Sequence, residues 1–166
     1  VLTGYLVAPT SVWPYCLKYP KHVGPNAHVA RKRFEAYPEG MDVQIKRIYE
    51  APEHTDGQRV LIDRLWPRGV KKVDADIDLW LKDAAPSPEL RKTWHADPSA
   101  HEPSHYAAFA EAYREELSEG VASEALDRLV SMAREPERLT LLYGARNEQS
   151  NHAMVLRDAL LERAGS

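Results

Sequence analysis

Asp63-Arg64-Leu65-Trp66-Pro67-Arg68-Gly69 gathers two guanidinium groups, a carboxylate and an indole into one short stretch. A guanidinium is a planar fork of donors that fits phosphate or carboxylate. Gly69 permits close backbone approach, and Pro67 stiffens the loop. The stretch reads as an anion-binding loop with Arg64, Trp66 and Arg68 as ligand contacts. It reads equally as a self-anchored loop, with Asp63 paired to Arg64 or Arg68 and Trp66 filling the core. Both hold together if one arginine is tied and the other presented. A second stretch, Tyr143-Gly144-Ala145-Arg146-Asn147, leads into a helix whose free N–H groups favour an anion. Asn151 and His152 fall in the first turns of that helix. Unperturbed imidazole titrates at about pH 6.5, so a histidine there is a ready general acid or base. In the plainer reading His152 packs against the sheet edge and makes one hydrogen bond. Arg91, Trp94 and His95 edge a pocket, or Trp94 simply anchors the core.

Other chemistry is excluded by type or spacing. His101-Glu102-Pro103-Ser104-His105 matches the H-E-x-x-H zinc pattern letter by letter. That pattern works only when both histidines share one face of a continuous helix, and Pro103 between them breaks the helix. Ser104 reads better as the N-cap of the following helix, and no third ligand follows, so no metal is expected. No P-loop, G-x-G-x-x-G or G-x-S-x-G occurs, which removes the common nucleotide-triphosphate, dinucleotide and esterase signatures and leaves no cofactor expected. The one cysteine, Cys16, excludes an internal disulfide and suggests a reducing, cytoplasmic setting.

These residues must be held by elements. Val43 to Tyr49 alternates as a strand. Arg59 to Asp63 is a short apolar run between polar ends, suited to a strand covered on both faces. Residues 70–86 carry no clear pattern beyond the apolar clasp Leu79-Trp80-Leu81. Ser87-Pro88-Glu89 starts a short helix to about His95. Tyr106, Phe109, Tyr113 and Leu117 form one helical stripe, ended by Gly120. Ser123 caps the next helix, with Leu126, Leu129, Val130 and Ala133 inward. Leu139 to Tyr143 is the third strand, and Asn147 or Ser150 caps a last helix. Strands separated by helices predict an α/β fold, a small mostly parallel sheet flanked by helices, with the strands from residues 59 and 139 central. Ligands of such sheets collect beyond the strands' carboxyl ends, where both candidate loops lie.

Composition sets the bounds. The 166 residues suit one domain of ordinary size. No apolar run reaches membrane-spanning length. The whole chain carries a net charge of -3. Residues 1–40 hold five Lys or Arg against two acids, a net +3, which leaves residues 41–166 at -6. That acidic balance weighs against general nucleic-acid binding. Five of the twelve prolines lie in residues 1–40, so this segment reads as a loosely ordered extension or an early start, with Met41 opening the domain of residues 41–166. An arm docking through Trp13, Tyr15 and Tyr19 is the alternative.

The order V-x-I-K-R-I-Y, R-V-L-I-D-R-L-W-P-R-G, W-L-K-D-A-A-P-S-P-E-L-R-K-T-W and L-T-L-L-Y-G-A-R-N-E-Q-S-N-H-A resembles the YeaO-like family, a branch of domain-of-unknown-function family 488, over roughly residues 41–163. The resemblance implies a compact α/β domain of bacteria and archaea and no particular reaction. Related branches carry a Cys-His pair near the start of the last helix, where this chain has Asn151-His152. Any thiol-based role is therefore in doubt here. The expected function is a small cytoplasmic α/β protein with an Arg-lined pocket for an anionic, phosphate- or carboxylate-bearing small molecule. Hydrolysis or group transfer would use Asp63 and His152 as proton carriers, with Arg64, Trp66, Arg68, Tyr143, Arg146, Asn147 and Asn151 as binding residues. The alternative is a non-enzymatic regulatory module that binds protein or nucleic acid. Sequence leaves the oligomeric state open.

Overall fold

The computed structural model describes residues 41–135 and 137–166. The proline-rich extension over residues 1–40, with its candidate docking aromatics, lies outside the described residues. Among the described residues four strands form one sheet: β1 (Val43–Arg47), β2 (Gln58–Leu61), β3 (Leu79–Trp80) and β4 (Leu139–Tyr143). Their order is β1-β4-β2-β3, and every pairing is parallel. The two predicted central strands are central. The unassigned clasp at Leu79-Trp80 is the fourth strand. Only two residues pair there, too few for an alternating pattern to be legible.

β4 is buried throughout because both sheet faces are covered at the centre of the sheet. Val60, Ile62, Leu139, Leu141 and Tyr143 face the helices, within a core that also holds Phe109, Leu129, Leu156 and Leu160. Leu61 and Leu142 face the other way, against Ile48, Trp66, Ile77 and Trp80. The helices contribute only to the first cluster, and the chain between β2 and β3 covers the second face. Trp66 therefore packs half-buried on that loop-covered face, edge-on to Trp80 with ring centroids 5.4 Å apart.

The helices are α1 (Pro88–Ala96), α2 (Pro103–Glu116), α3 (Gly120–Ala133) and α4 (His152–Ala164). α1 starts as its sequence predicts, with Pro88 in the first turn and Ser87 Oγ accepting from the Leu90 N–H at 3.1 Å. Three predicted caps move. α2 begins at Pro103, not after Ser104, because the fixed φ of proline suits the first helical position. α3 begins at Gly120, with extended Glu119 as its N-cap, and Ser123 lies inside the first turn. α4 is capped by Asn151, whose Oδ1 accepts from the Met154 N–H at 3.2 Å. Asn147 instead closes a local turn, its Oδ1 accepting from the Gln149 and Ser150 amides.

Tyr113 ties the helical layer to the chain that enters it. Its ring is fully buried, its hydroxyl donates to the Ala84 carbonyl, and burial pushes its pKa well above the ordinary phenol value. Tyr113→Phe keeps the ring and leaves that carbonyl without its donor. The expected loss is about 1–3 kcal/mol, read from the urea midpoint with an unchanged slope.

Candidate functional site

The carboxyl ends of β2 and β4 lie side by side, and the chain leaving each carries a functional group. Asp63 stands two residues past β2. Its Oδ2 accepts from the Gly144 N–H, just past β4, at 2.8 Å. Gly144 allows this approach, since a Cβ there would lie 2.7 Å from Asp63 Oδ2. The other oxygen, Oδ1, lies 3.1 Å from His152 Nε2 at the start of α4. Both side chains are largely covered, 16% and 15% exposed. The pair is close but out of line: His152 Nε2 makes no hydrogen bond among the described residues. With Nε2 turned to Asp63, Nδ1 is the ring nitrogen left for a ligand.

Arg64 is anchored. Its Nε donates to the Pro86 carbonyl at 3.0 Å, and one Nη donates to the Ala85 carbonyl at 3.4 Å. Arg64 thus secures the entry to α1 with carbonyls rather than with Asp63. Trp66 donates its indole N–H to the Val70 carbonyl at 2.7 Å. Arg68 is exposed, and its guanidinium makes no hydrogen bond or ion pair among the described residues. Its backbone carbonyl accepts from Tyr49 Oη at 3.2 Å, which ties the loop to the chain after β1. Arg146 is exposed as well. Tyr143 is a buried strand residue, its pKa raised by burial and by the charges of Glu148 and Glu50. Asn151 is 2% exposed, and its Nδ2 donates to the Asn147 carbonyl at 2.8 Å. Both ends of the Asn151 carboxamide therefore hold the loop and helix in place.

Arg91, His95 and His101 bring further donors. Arg91 and His95 stand one turn apart on α1, and His101 lies in the connection to α2. His101 Nδ1 meets Ser150 Oγ at 2.8 Å, two residues before His152. The Trp94 ring packs edge-on against His101 with centroids 5.3 Å apart. Arg91 Nε is buried and has no hydrogen-bond partner among the described residues. Partial burial lowers the His95 pKa, and the charges of Arg91, His152 and His101 lower it further. These four groups are therefore electrostatic neighbours. The i, i+4 spacing of Arg91 and His95 was the available signal. Their proximity to His152 required the fold. His105, the second histidine of the zinc-like pattern, turns elsewhere, its Nδ1 2.6 Å from Asp97 Oδ2. Among the described residues, no cluster of three or more His, Cys, Asp or Glu side chains is arranged to hold a metal.

A separate groove of about 540 Å³ lies between α1 and α2, lined by Leu90, Trp94, Ala108, Phe109 and Ala112 among others. Its lining includes none of Asp63, Arg91, His95, His101 and His152.

Fold and side chains together define a small parallel α/β domain with a carboxylate–imidazole pair at the carboxyl ends of its strands. The chain belongs to the DUF488-N3i family, described as the inactive DUF488-N3 subclade, which matches residues 42–165. It is 46% identical over 120 residues to the uncharacterized protein YeaO of Escherichia coli K12, covering 72% of this chain and 97% of that one. It is 38% identical over 118 residues to the uncharacterized protein Mb3100c of Mycobacterium bovis, covering 71% and 92%. No solved structure matches the chain. Among the described residues, no helix is long and apolar enough to cross a membrane.

Proposed function

We propose that this domain binds a small anionic molecule in the cleft beyond β2 and β4, without covalent chemistry, in the cytoplasm. The observations that carry the reading are the buried Arg91 Nε, without a hydrogen-bond partner among the described residues, and the influence of the Arg91, His101 and His152 charges on His95. Unpaired buried donors are uncommon and call for a partner. The exposed Arg68 and Arg146 extend the positive rim along the two loops. Asn151 supports binding over hydrolysis or group transfer. At the position where related branches carry a thiol, it is a buried cap with both polar ends engaged. The description of the family as an inactive subclade agrees. Asp63 and His152 retain the form of a proton-carrying pair, so turnover of a phosphate ester would restore the enzymatic reading.

Thermal unfolding in millimolar phosphate or nucleotide tests the proposal. At a ligand concentration ten times Kd, Tm rises by roughly 3–8 °C. Arg68→Ala reduces the rise. An unchanged Tm in wild type and variant alike sinks it. The second reading, a nucleic-acid-binding regulatory module, has one observation in its favour. Arg47 lies over the Tyr49 ring and Lys72 over the Trp66 ring, each 5.4 Å from the centroid, beside exposed Arg68 and Lys71. Tight, steeply salt-dependent binding of RNA or DNA would favour that surface over the cleft.

A further inference from the structure

We infer that the chain binds an unpaired nucleic-acid strand along the surface formed by Arg47, Tyr49, Trp66, Arg68 and Lys72, with a base on the exposed Tyr49 ring and phosphates on the cations around it. The inference sharpens the second reading above, from nucleic acid in general to single strands, and stands or falls apart from the anion-binding reading.

The surface is continuous, because short contacts link separate stretches of chain. Arg47 Nε donates to the Ala145 carbonyl at 3.2 Å, beside exposed Arg146. The Arg47 guanidinium lies 5.4 Å from the centre of the Tyr49 ring. Tyr49 Oη donates to the Arg68 carbonyl at 3.2 Å. The loop around Arg68 is closed on itself. There the Val70 N–H donates to the Pro67 carbonyl at 3.4 Å, and the Trp66 indole N–H donates to the Val70 carbonyl at 2.7 Å. Lys72 Nζ lies 5.4 Å from the centre of the Trp66 ring.

Its cations are free to meet a partner. Arg47, Arg68, Lys71, Lys72 and Arg146 join no ion pair among the described residues, whereas Lys46, Arg59, Arg138 and Arg163 elsewhere are each paired. The acids closest in the chain are Glu50, Asp74 and Glu148, and Glu50 Oε1 accepts from the Arg47 N–H at 2.8 Å. The chain as a whole is acidic. A rigid duplex reaching past the patch therefore meets like charge, while a flexible strand confines its phosphates to it.

Exposed apolar surface decides between partners. Tyr49 is 50% exposed, and Leu65 and Val73, next in the chain to Trp66 and Lys72, are 58% and 90% exposed. A duplex hides the faces of its bases from such side chains, and an acidic peptide matches the charges alone. An unpaired strand offers base faces and phosphates together. Tyr49 is anchored by its hydroxyl, so little side-chain freedom is lost when a base stacks on it.

Fluorescence anisotropy of the whole chain tests this with labelled oligouridine and oligodeoxythymidine of about ten nucleotides, a duplex of the same length and oligoaspartate. The single strands are expected to bind about tenfold or more tighter than the duplex or the oligoaspartate. Raising salt from about 50 to 200 mM should weaken them about 20- to 100-fold, as expected for roughly three to five phosphate contacts. Tyr49→Ala should weaken binding about tenfold, and Tyr49→Phe, which keeps the ring, should stay within about twofold of wild type. Lys72→Ala should make the salt slope shallower by about 0.7. The urea midpoint of each variant confirms its fold. Duplex or oligoaspartate bound as tightly as the single strands overturns the inference. So does a Tyr49→Ala affinity equal to wild type, which would place the strand elsewhere on the chain, or no binding at all. A Tm raised by phosphate without strand binding leaves the anion reading standing alone, and strand binding without that rise leaves this one.

Discussion

Asp56→Ala lowers the unfolding free energy by about 3–5 kcal/mol at pH 7, read from the urea midpoint. Asp56 is 2% exposed at the foot of the sheet, the end opposite Asp63 and His152. It pairs with Arg59, itself 3% exposed, and accepts from Lys46 Nζ at 3.0 Å and from the Glu53 N–H at 3.1 Å. Its backbone carbonyl accepts from Thr140 Oγ1 at 2.6 Å. Removing the carboxylate leaves the Arg59 guanidinium charged in the interior with carbonyl partners alone, at Asp76 and Ala75. Breaking a buried pair from one side costs more than the pair itself contributes. Domains of this size are stabilised by about 5–15 kcal/mol in all, so the variant approaches the unfolding threshold.

The effect carries a pH signature. Burial acts to raise the Asp56 pKa. Hydrogen bonds from Lys46 and the Glu53 amide, with the charges of Lys46 and Arg59, outweigh it and hold the pKa below the usual carboxylate value. Folding therefore favours the ionised form. Its contribution is fully present above the unfolded-state pKa of about 3.9, and is lost as pH falls through the lower folded value. The gap between wild type and Asp56→Ala should stay constant from pH 5 to 8 and close below pH 4. A gap that persists unchanged at pH 3 would mean that the loss is one of packing.

Gly57→Ala is the second large effect, and it should be independent of pH. Gly57 has φ +63°, in the left-handed region. A side chain costs about 1–2 kcal/mol there. A Cβ would also lie 2.1 Å from the Arg138 carbonyl oxygen. That carbonyl accepts from the Gln58 N–H at 2.8 Å and so starts the β2–β4 pairing. The overlap is with backbone, so relief requires parting the two central strands. The total loss should be at least about 2 kcal/mol, with the same value at pH 5 and pH 8. A loss below 1 kcal/mol would show that the turn adjusts without disturbing the strands. Both variants act at the foot of the sheet. Any anion affinity of their folded fraction should match wild type.

Local pattern was enough for much of this molecule. The three longer strands, the four helices and the parallel α/β class follow from apolar periodicity and from breakers such as Pro88 and Gly120. The family followed from residue order, above all D-R-L-W-P-R-G. Asp63 and His152 were legible as candidates because each follows a strand by a short loop. Cap positions were less legible. Asn147, Ser150 and Asn151 all have capping side chains, and local sequence does not say which oxygen the turn before the helix consumes.

What only the tertiary structure decided was the partner of each charge. Arg64 and Arg68 look alike in sequence, yet one is bound to the carbonyls of residues 85 and 86 and the other is exposed. His101 meets Ser150, two residues before His152, across some 50 residues of chain. The field at a side chain depends on distances in space, and residues far apart in the chain set those distances.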